Sequence, residues 1–154
     1  EDVLVGYRYF DAFAQQPLFP FGYGLSYTSF VFDRMRVRCR RGGRADAIVR
    51  IANTGTRPGA VIPELYLEFP AAAGEPPNQL KGFARMSLQA GERRRVRIPV
   101  DAQSFAIWST ADAAWRVLPG SYALRVGTSS RDLPLQGRVT MRSVNGNRTA
   151  CRVR

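Results

Sequence analysis

Short runs of strict alternation constrain this chain more than any other feature. Met35, Val37 and Cys39 alternate with Arg34, Arg36, Arg38 and Arg40. A period of two places successive side chains on opposite faces of a strand, so the arginines form a solvated face with apolar residues behind it. Val96, Ile98 and Val100 stand in the same relation to Arg93, Arg95 and Arg97, and Tyr122, Leu124 and Val126 alternate with Ala123 and Arg125. Gly42-Gly43, Asn53-Thr54-Gly55, Gly91-Glu92 and Pro119-Gly120 punctuate these runs as turns. No convincing helical period intervenes. The pattern predicts an all-β antiparallel sandwich, one face of each sheet buried against the other.

The expected strands cover 28–39 (with an irregularity near Asp33), 45–52, 61–69, 80–88, 93–100, 104–108, 114–117, 122–126 and 133–142. Pro63 inside the third removes a ladder donor and argues for an edge or a bulge. Tyr122, after a Pro-Gly turn at a strand entrance, suits a tyrosine corner whose hydroxyl ties back to nearby backbone. The organisation expected is a lead-in at 1–27, a sandwich at 28–142 and a polar tail at 143–154.

Residues 18–27, Leu-Phe-Pro-Phe-Gly-Tyr-Gly-Leu-Ser-Tyr, fit neither regular structure. Pro20 lacks a donor, and Gly22 and Gly24 have no side chain to pack, which excludes a central strand and a helix alike. An extended, irregular segment this rich in aromatics is a docking surface, unless the rings cover the base of their own sandwich.

These residues also carry a resemblance. Val5-Gly6-Tyr7-Arg8-Tyr9-Phe10-Asp11 and the stretch 17–27 resemble the passage joining the catalytic domains of glycoside hydrolase family 3 to a C-terminal fibronectin type III-like domain. Asn53-Thr54-Gly55, Pro58-Gly59-Ala60, Leu65-Tyr66-Leu67, Leu80-Lys81-Gly82-Phe83, Gly91-Glu92, Pro119-Gly120-Ser121-Tyr122 and the run 126–132 follow in the family's order. The resemblance covers about residues 1 to 140. It implies a fibronectin type III-like β-sandwich serving a β-glucosidase or β-xylosidase type enzyme, with no cofactor. The implied partners are that enzyme's (β/α)-barrel and α/β-sandwich domains, which hold the catalytic carboxylates. Tyr7, Arg8, Tyr9, Phe10, Phe19, Phe21, Tyr23 and Tyr27 are the implied docking residues. A start at Glu1 rather than Met agrees with a piece of a longer chain, whose parent is expected to be periplasmic or secreted.

The chain offers little chemistry of its own. With no histidine there is no Ser-His-Asp or Cys-His arrangement, and two cysteines cannot build a zinc site. Glu64 and Glu68, four residues apart on one strand, would stand about 13 Å apart, too far for a glycosidase pair. No run reaches the roughly 18 apolar residues of a membrane span.

The net charge of +11 comes almost wholly from arginine. Its spread along strands reads as solvated faces rather than a nucleic-acid surface, leaving binding to an anionic polysaccharide or surface as a second reading. Trp108 and Trp115 are candidates for stacking on an oligosaccharide or polysaccharide, though both lie in apolar contexts and burial is expected for each. Cys39 and Cys151 either join the tail to the first strand or remain free thiols, and free thiols are the expectation. Asn147-Arg148-Thr149 spells a glycosylation sequon.

Overall fold

The computed structural model describes residues 3–144 and 148–153. A short helix, α1 (Tyr7–Ala12), precedes β1 (Phe30–Arg40), β2 (Arg44–Asn53), β3 (Gly59–Val61), β4 (Glu64–Glu68), β5 (Gln79–Phe83) and β6 (Met86–Leu88). There follow β7 (Arg93–Val100), β8 (Ile107–Ser109), β9 (Ala114–Arg116), β10 (Gly120–Gly127), β11 (Leu135–Val144) and β12 (Arg148–Val153). One sheet runs β1-β2-β7, the other β12-β11-β10-β4-β5, and β3-β6 and β8-β9 form separate pairs. Every pairing is antiparallel. The all-β sandwich expected from the alternation is the fold observed.

Val49, Ile51 and Ile98 of the first sheet meet Leu65, Leu67, Leu124, Val139 and Met141 of the second in one buried core. At roughly 1.5–3 kcal/mol for each large apolar side chain removed from water, this core is the main favourable term. The corner forms as expected: the Tyr122 hydroxyl donates to the Leu118 carbonyl at 2.8 Å, with the Phe105 carbonyl at 3.3 Å. Gly120 before it has φ +150°, and a Cβ there would lie 2.9 Å from Pro70 Cγ, so the turn needs glycine.

Asn53 explains the Asn-Thr-Gly turn. Its side chain accepts from the Thr28 hydroxyl at 2.6 Å and the Gly55 amide, and donates to the Arg57 and Leu88 carbonyls. One buried amide thereby fixes where the lead-in enters the sandwich.

Four expectations are corrected. The third and fourth predicted strands each break in two: Pro63 separates β3 from β4, and Ala84-Arg85 separates β5 from β6, the halves joining different pairings. The lead-in is not wholly extended, because α1 forms where no proline interrupts residues 7–16. The chain past 142 is not simply a polar tail: Arg148–Val153 pairs with β11 along its length. Cys39 and Cys151 are not free thiols but bonded to each other, with Cα atoms 5.4 Å apart. Asn147 of the sequon lies outside the described residues.

The outward face of β1-β2-β7 collects the arginines of three strands. Register places Arg34 beside Arg50 and Arg50 beside Arg95. Asp33, at the bulge in β1, pairs with Arg50 at 2.7 Å and Arg93 at 3.8 Å. The buried Asp46 pairs with Arg40 at 2.7 Å and Arg97 at 3.4 Å. Arg50 holds the Asp33 carboxyl below its ordinary range.

Candidate functional site

The lead-in is fastened from below by three sets of contacts. Gly6, at φ +59°, turns the chain into α1, a six-residue helix with no side-chain cap. Arg131, in the loop after β10, holds the far end. Its guanidinium donates to the Phe10 carbonyl at 3.1 Å and the Gln15 carbonyl at 2.7 Å, and pairs with Asp11 at 3.0 Å. Carbonyls at a helix end lack partners within the helix, and a cation is favourable there. The Asp11 side chain is only 5% exposed, and burial raises its pKa against the pull of Arg131 and Asn78.

Tyr7 supplies the second set. Its hydroxyl accepts from the Leu80 amide at 2.8 Å, and its ring lies 5.7 Å edge-on from Tyr66 and 5.3 Å from Phe21. Phe21 supplies the third, its carbonyl accepting from the Ser130 amide at 2.8 Å. Gly22 beside it has φ +84°, and a Cβ there would come within 2.5 Å of Glu64 Oε2. The conformation favours glycine, and a Cβ would also displace the Glu64 carboxylate. Beneath it Glu64 accepts from the Tyr66 hydroxyl at 2.6 Å, and burial raises both the Glu64 carboxyl and the Tyr66 phenol.

What this scaffold presents outward is apolar. Leu18 is 87% exposed, Phe19 66%, Leu25 91% and Tyr27 92%. Phe21 and Tyr23 are about half exposed, and Phe19 and Tyr23 stack with ring centres 5.3 Å apart. A cleft of about 410 Å³ opens between Tyr23–Leu25 and the opposing Phe30, Ile62 and Ser129. The docking candidates thus divide. Tyr7, Phe10 and the Phe21 backbone serve the domain's own packing; Phe19, Tyr23 and Tyr27 point away from it. Tyr9 is exposed and packs on Phe13 at 4.7 Å, while the partly buried Arg8 lies near Lys81.

Sequence reasoning missed Arg131 and Asp11, which meet across 120 positions. No local signal marks that pair. It also passed over Leu18 and Leu25, whose apolar side chains in a Pro/Gly-rich segment were a signal available to it.

The tryptophans are not buried as expected. Trp108 is 51% exposed and Trp115 55%, because β8 and β9 form a two-stranded hairpin outside both main sheets. They are cross-strand partners with rings 5.6 Å apart and nearly perpendicular. Glu68 is paired with Arg125 at 2.6 Å and Glu64 with Tyr66, so neither of the tempting carboxylates is free. Among the described residues no cluster of His, Cys, Asp or Glu could hold a metal, and no helix is long and apolar enough to cross a membrane.

Comparison with known proteins places this architecture. Residues 61–130 match the model of the fibronectin type III-like domain. The chain is 36% identical to a probable β-glucosidase D of Aspergillus niger over 93% of its own length and 22% of that protein. It is 39% identical to a probable β-glucosidase H of Aspergillus clavatus, over 92% of itself and 18% of the relative. Among solved structures, a GH3 β-glucosidase of Bifidobacterium adolescentis superposes with a TM-score of 0.86 at 34% identity, over 96% of the chain and 23% of that enzyme. The β-glucosidase DesR of Streptomyces venezuelae, in complex with D-glucose, gives 0.84 at 35%, over 89% and 18%. The chain spans about a fifth of the length of the relatives it matches.

Proposed function

The chain is a fibronectin type III-like domain related to those of family 3 β-glucosidases, and from that premise we propose that it docks on and stabilises the catalytic domains of such an enzyme. The observation that carries the reading is the exposed apolar strip of Phe19, Phe21, Tyr23 and Tyr27, anchored from beneath by Tyr7 against the Phe21 ring and by the Ser130 amide on the Phe21 carbonyl. Aromatics in this density, on a segment that cannot join a sheet, form a patch that a neighbouring domain would cover. The partner is the barrel and α/β-sandwich pair of the parent, whose reaction is hydrolysis of a β-glucoside. The Cys39–Cys151 disulfide supports a parent exported to an oxidising compartment.

The test is calorimetric titration of this chain into the parent's catalytic domains, with a Phe19→Ala/Phe21→Ala variant beside the wild type. Losing two anchors of about 1.5–3 kcal/mol each should weaken binding at least 100-fold. Equal binding by both proteins, or none by either, refutes docking through this strip.

A second reading rests on the exposed tryptophans. With their faces at right angles, one ring of the pair is free to stack on a sugar, which would make the β8-β9 hairpin a carbohydrate-binding site. Its test is quenching of tryptophan emission by cello-oligosaccharides. Emission unchanged at millimolar sugar removes this reading.

A further inference from the structure

The sequence places arginines in stripes; the fold lays those stripes side by side. Nine arginines from β1, β2 and β7 share one face of the three-stranded sheet with two carboxylates, Asp33 and Asp46. Those two carboxylates hold Arg40, Arg50, Arg93 and Arg97. Arg34, Arg36, Arg38, Arg44 and Arg95 have no carboxylate partner among the described residues; Arg44 donates to the Arg41 carbonyl, and the other four, together with Arg50 and Ile48, line a shallow depression of about 140 Å³. In the row Arg34-Arg50-Arg95, arginines stand on three successive strands, and only the middle one has a carboxylate partner. Neighbouring strands are roughly 4.8 Å apart, and like charges directly opposite one another destabilise a sheet. The folded domain therefore carries a repulsion that an anionic ligand would relieve.

We infer that this face binds an acidic polysaccharide, its carboxylates bridging the unpaired guanidiniums across the strands. Three features select that occupant. Guanidinium forks match carboxylates in geometry. The unpaired guanidiniums of the depression stand on β1 and β7, two strand spacings or roughly 10 Å apart, of the order of two sugars in a linear polyuronate. The paired outward positions of this sheet also carry no aromatic side chain on which a nucleobase could stack. The face is distinct from the aromatic strip and from the tryptophan hairpin, so it binds independently of whether either of those readings holds.

The experiment uses the full chain and polygalacturonate as probe, with neutral glucan and duplex DNA as competitors. A triple variant, Arg34→Gln, Arg36→Gln and Arg95→Gln, removes unpaired charge without breaking an ion pair. Arg57→Gln, Arg85→Gln and Arg152→Gln together remove as much charge from connecting segments and from the other sheet. Wild type should be retained on immobilised polygalacturonate at low salt and released as salt screens the contact. The face variant should bind about tenfold more weakly, and the control triple should bind like wild type. Polygalacturonate should also raise the melting temperature of the wild type and not that of the face variant. Because the face variant loses only repulsion, its own melting temperature should match or exceed wild type, which separates lost binding from lost folding. Equal weakening by both triples, or preference for DNA over polygalacturonate, overturns the inference.

Discussion

Arg131→Ala should free the lead-in while leaving the sandwich folded. Arg131 is the only described side chain that holds two carbonyls of the lead-in and its buried Asp11 together. An exposed ion pair contributes about 0.2–1 kcal/mol, and removing one partner of a fully buried pair costs about 3–5 kcal/mol. Here the carboxylate is 5% exposed and the guanidinium 30%, so the site falls between these limits. With the Gln15 carbonyl also losing its donor and the Phe10 carbonyl keeping only the Gln15 amide, about 2–3 kcal/mol is the expected loss. The segment can detach without opening the core, so the loss appears in local opening. The assay is limited trypsinolysis, following cleavage after Arg8 inside α1 by mass spectrometry. When opening is fast relative to cleavage, the rate follows the open population, and cleavage should accelerate about 30- to 150-fold. Repeating the change in an Asp11→Asn background separates the ion pair from the carbonyl bonds. There the acceleration should be about fivefold smaller, reflecting a coupling near 1 kcal/mol. A change below threefold in the wild-type background, or the same acceleration in both, refutes the reasoning.

Further outcomes follow from single contacts. Replacing Cys39 and Cys151 by serine opens a loop with a sequence separation of 112 residues; loop entropy puts the loss at up to about 4.8 kcal/mol, or about 15 °C in melting temperature for a chain this long. A melting curve unmoved by reduction would show that β12 needs no tether. Tyr122→Phe removes the donor to Leu118 and should lower the melting temperature by about 3–6 °C, a cost of about 1–2 kcal/mol. A shift under about 1 °C would leave the corner without energetic content. Glu64 has its pKa raised by burial, so its contribution to stability is full below the ordinary carboxylate pKa and is lost as pH rises through the raised value. Glu64→Gln keeps an acceptor for the Tyr66 hydroxyl, so its melting temperature should exceed wild type at pH 7, with the gap closing as pH falls toward 4. A gap independent of pH would contradict this assignment.

How much of this was legible depended on the range of the interaction. Alternation at Arg34–Arg40 and Tyr122–Val126 is local, because a strand with one buried face writes its period into adjacent positions. The bulge at Asp33 and the corner at Tyr122 were readable for the same reason. The splitting of the third strand was half visible: Pro63 announced a break, but not that β3 and β4 would join different pairings. The strand at Arg148–Val153 was hidden because its pattern is short and polar, and only β11 and Cys39 give it a place. The tryptophans misled because apolar neighbours in sequence usually signal a buried strand. In a two-stranded hairpin outside the main sheets, no second layer exists to bury them.

On the docking proposal, the aromatic strip separates folding from docking within one short segment. Pro20, Gly22 and Gly24 bar the segment from either sheet, so its rings cannot be absorbed by the core that their own hydrophobicity would favour. Instead its backbone is held at the end of the sandwich near Gly127, where the Ser130 amide donates to the Phe21 carbonyl and Gly22 lies close on Glu64, while Arg131 anchors the helix just before it through the Phe10 and Gln15 carbonyls. The tryptophan hairpin adjoins the other end, near Gly120, a strand length of roughly 23 Å away. Since the groups that orient Phe19 and Tyr23 are not the groups that bury Leu124 or Ile98, loss of Arg131 should weaken docking at unchanged core stability, whereas loss of a core side chain should weaken both together.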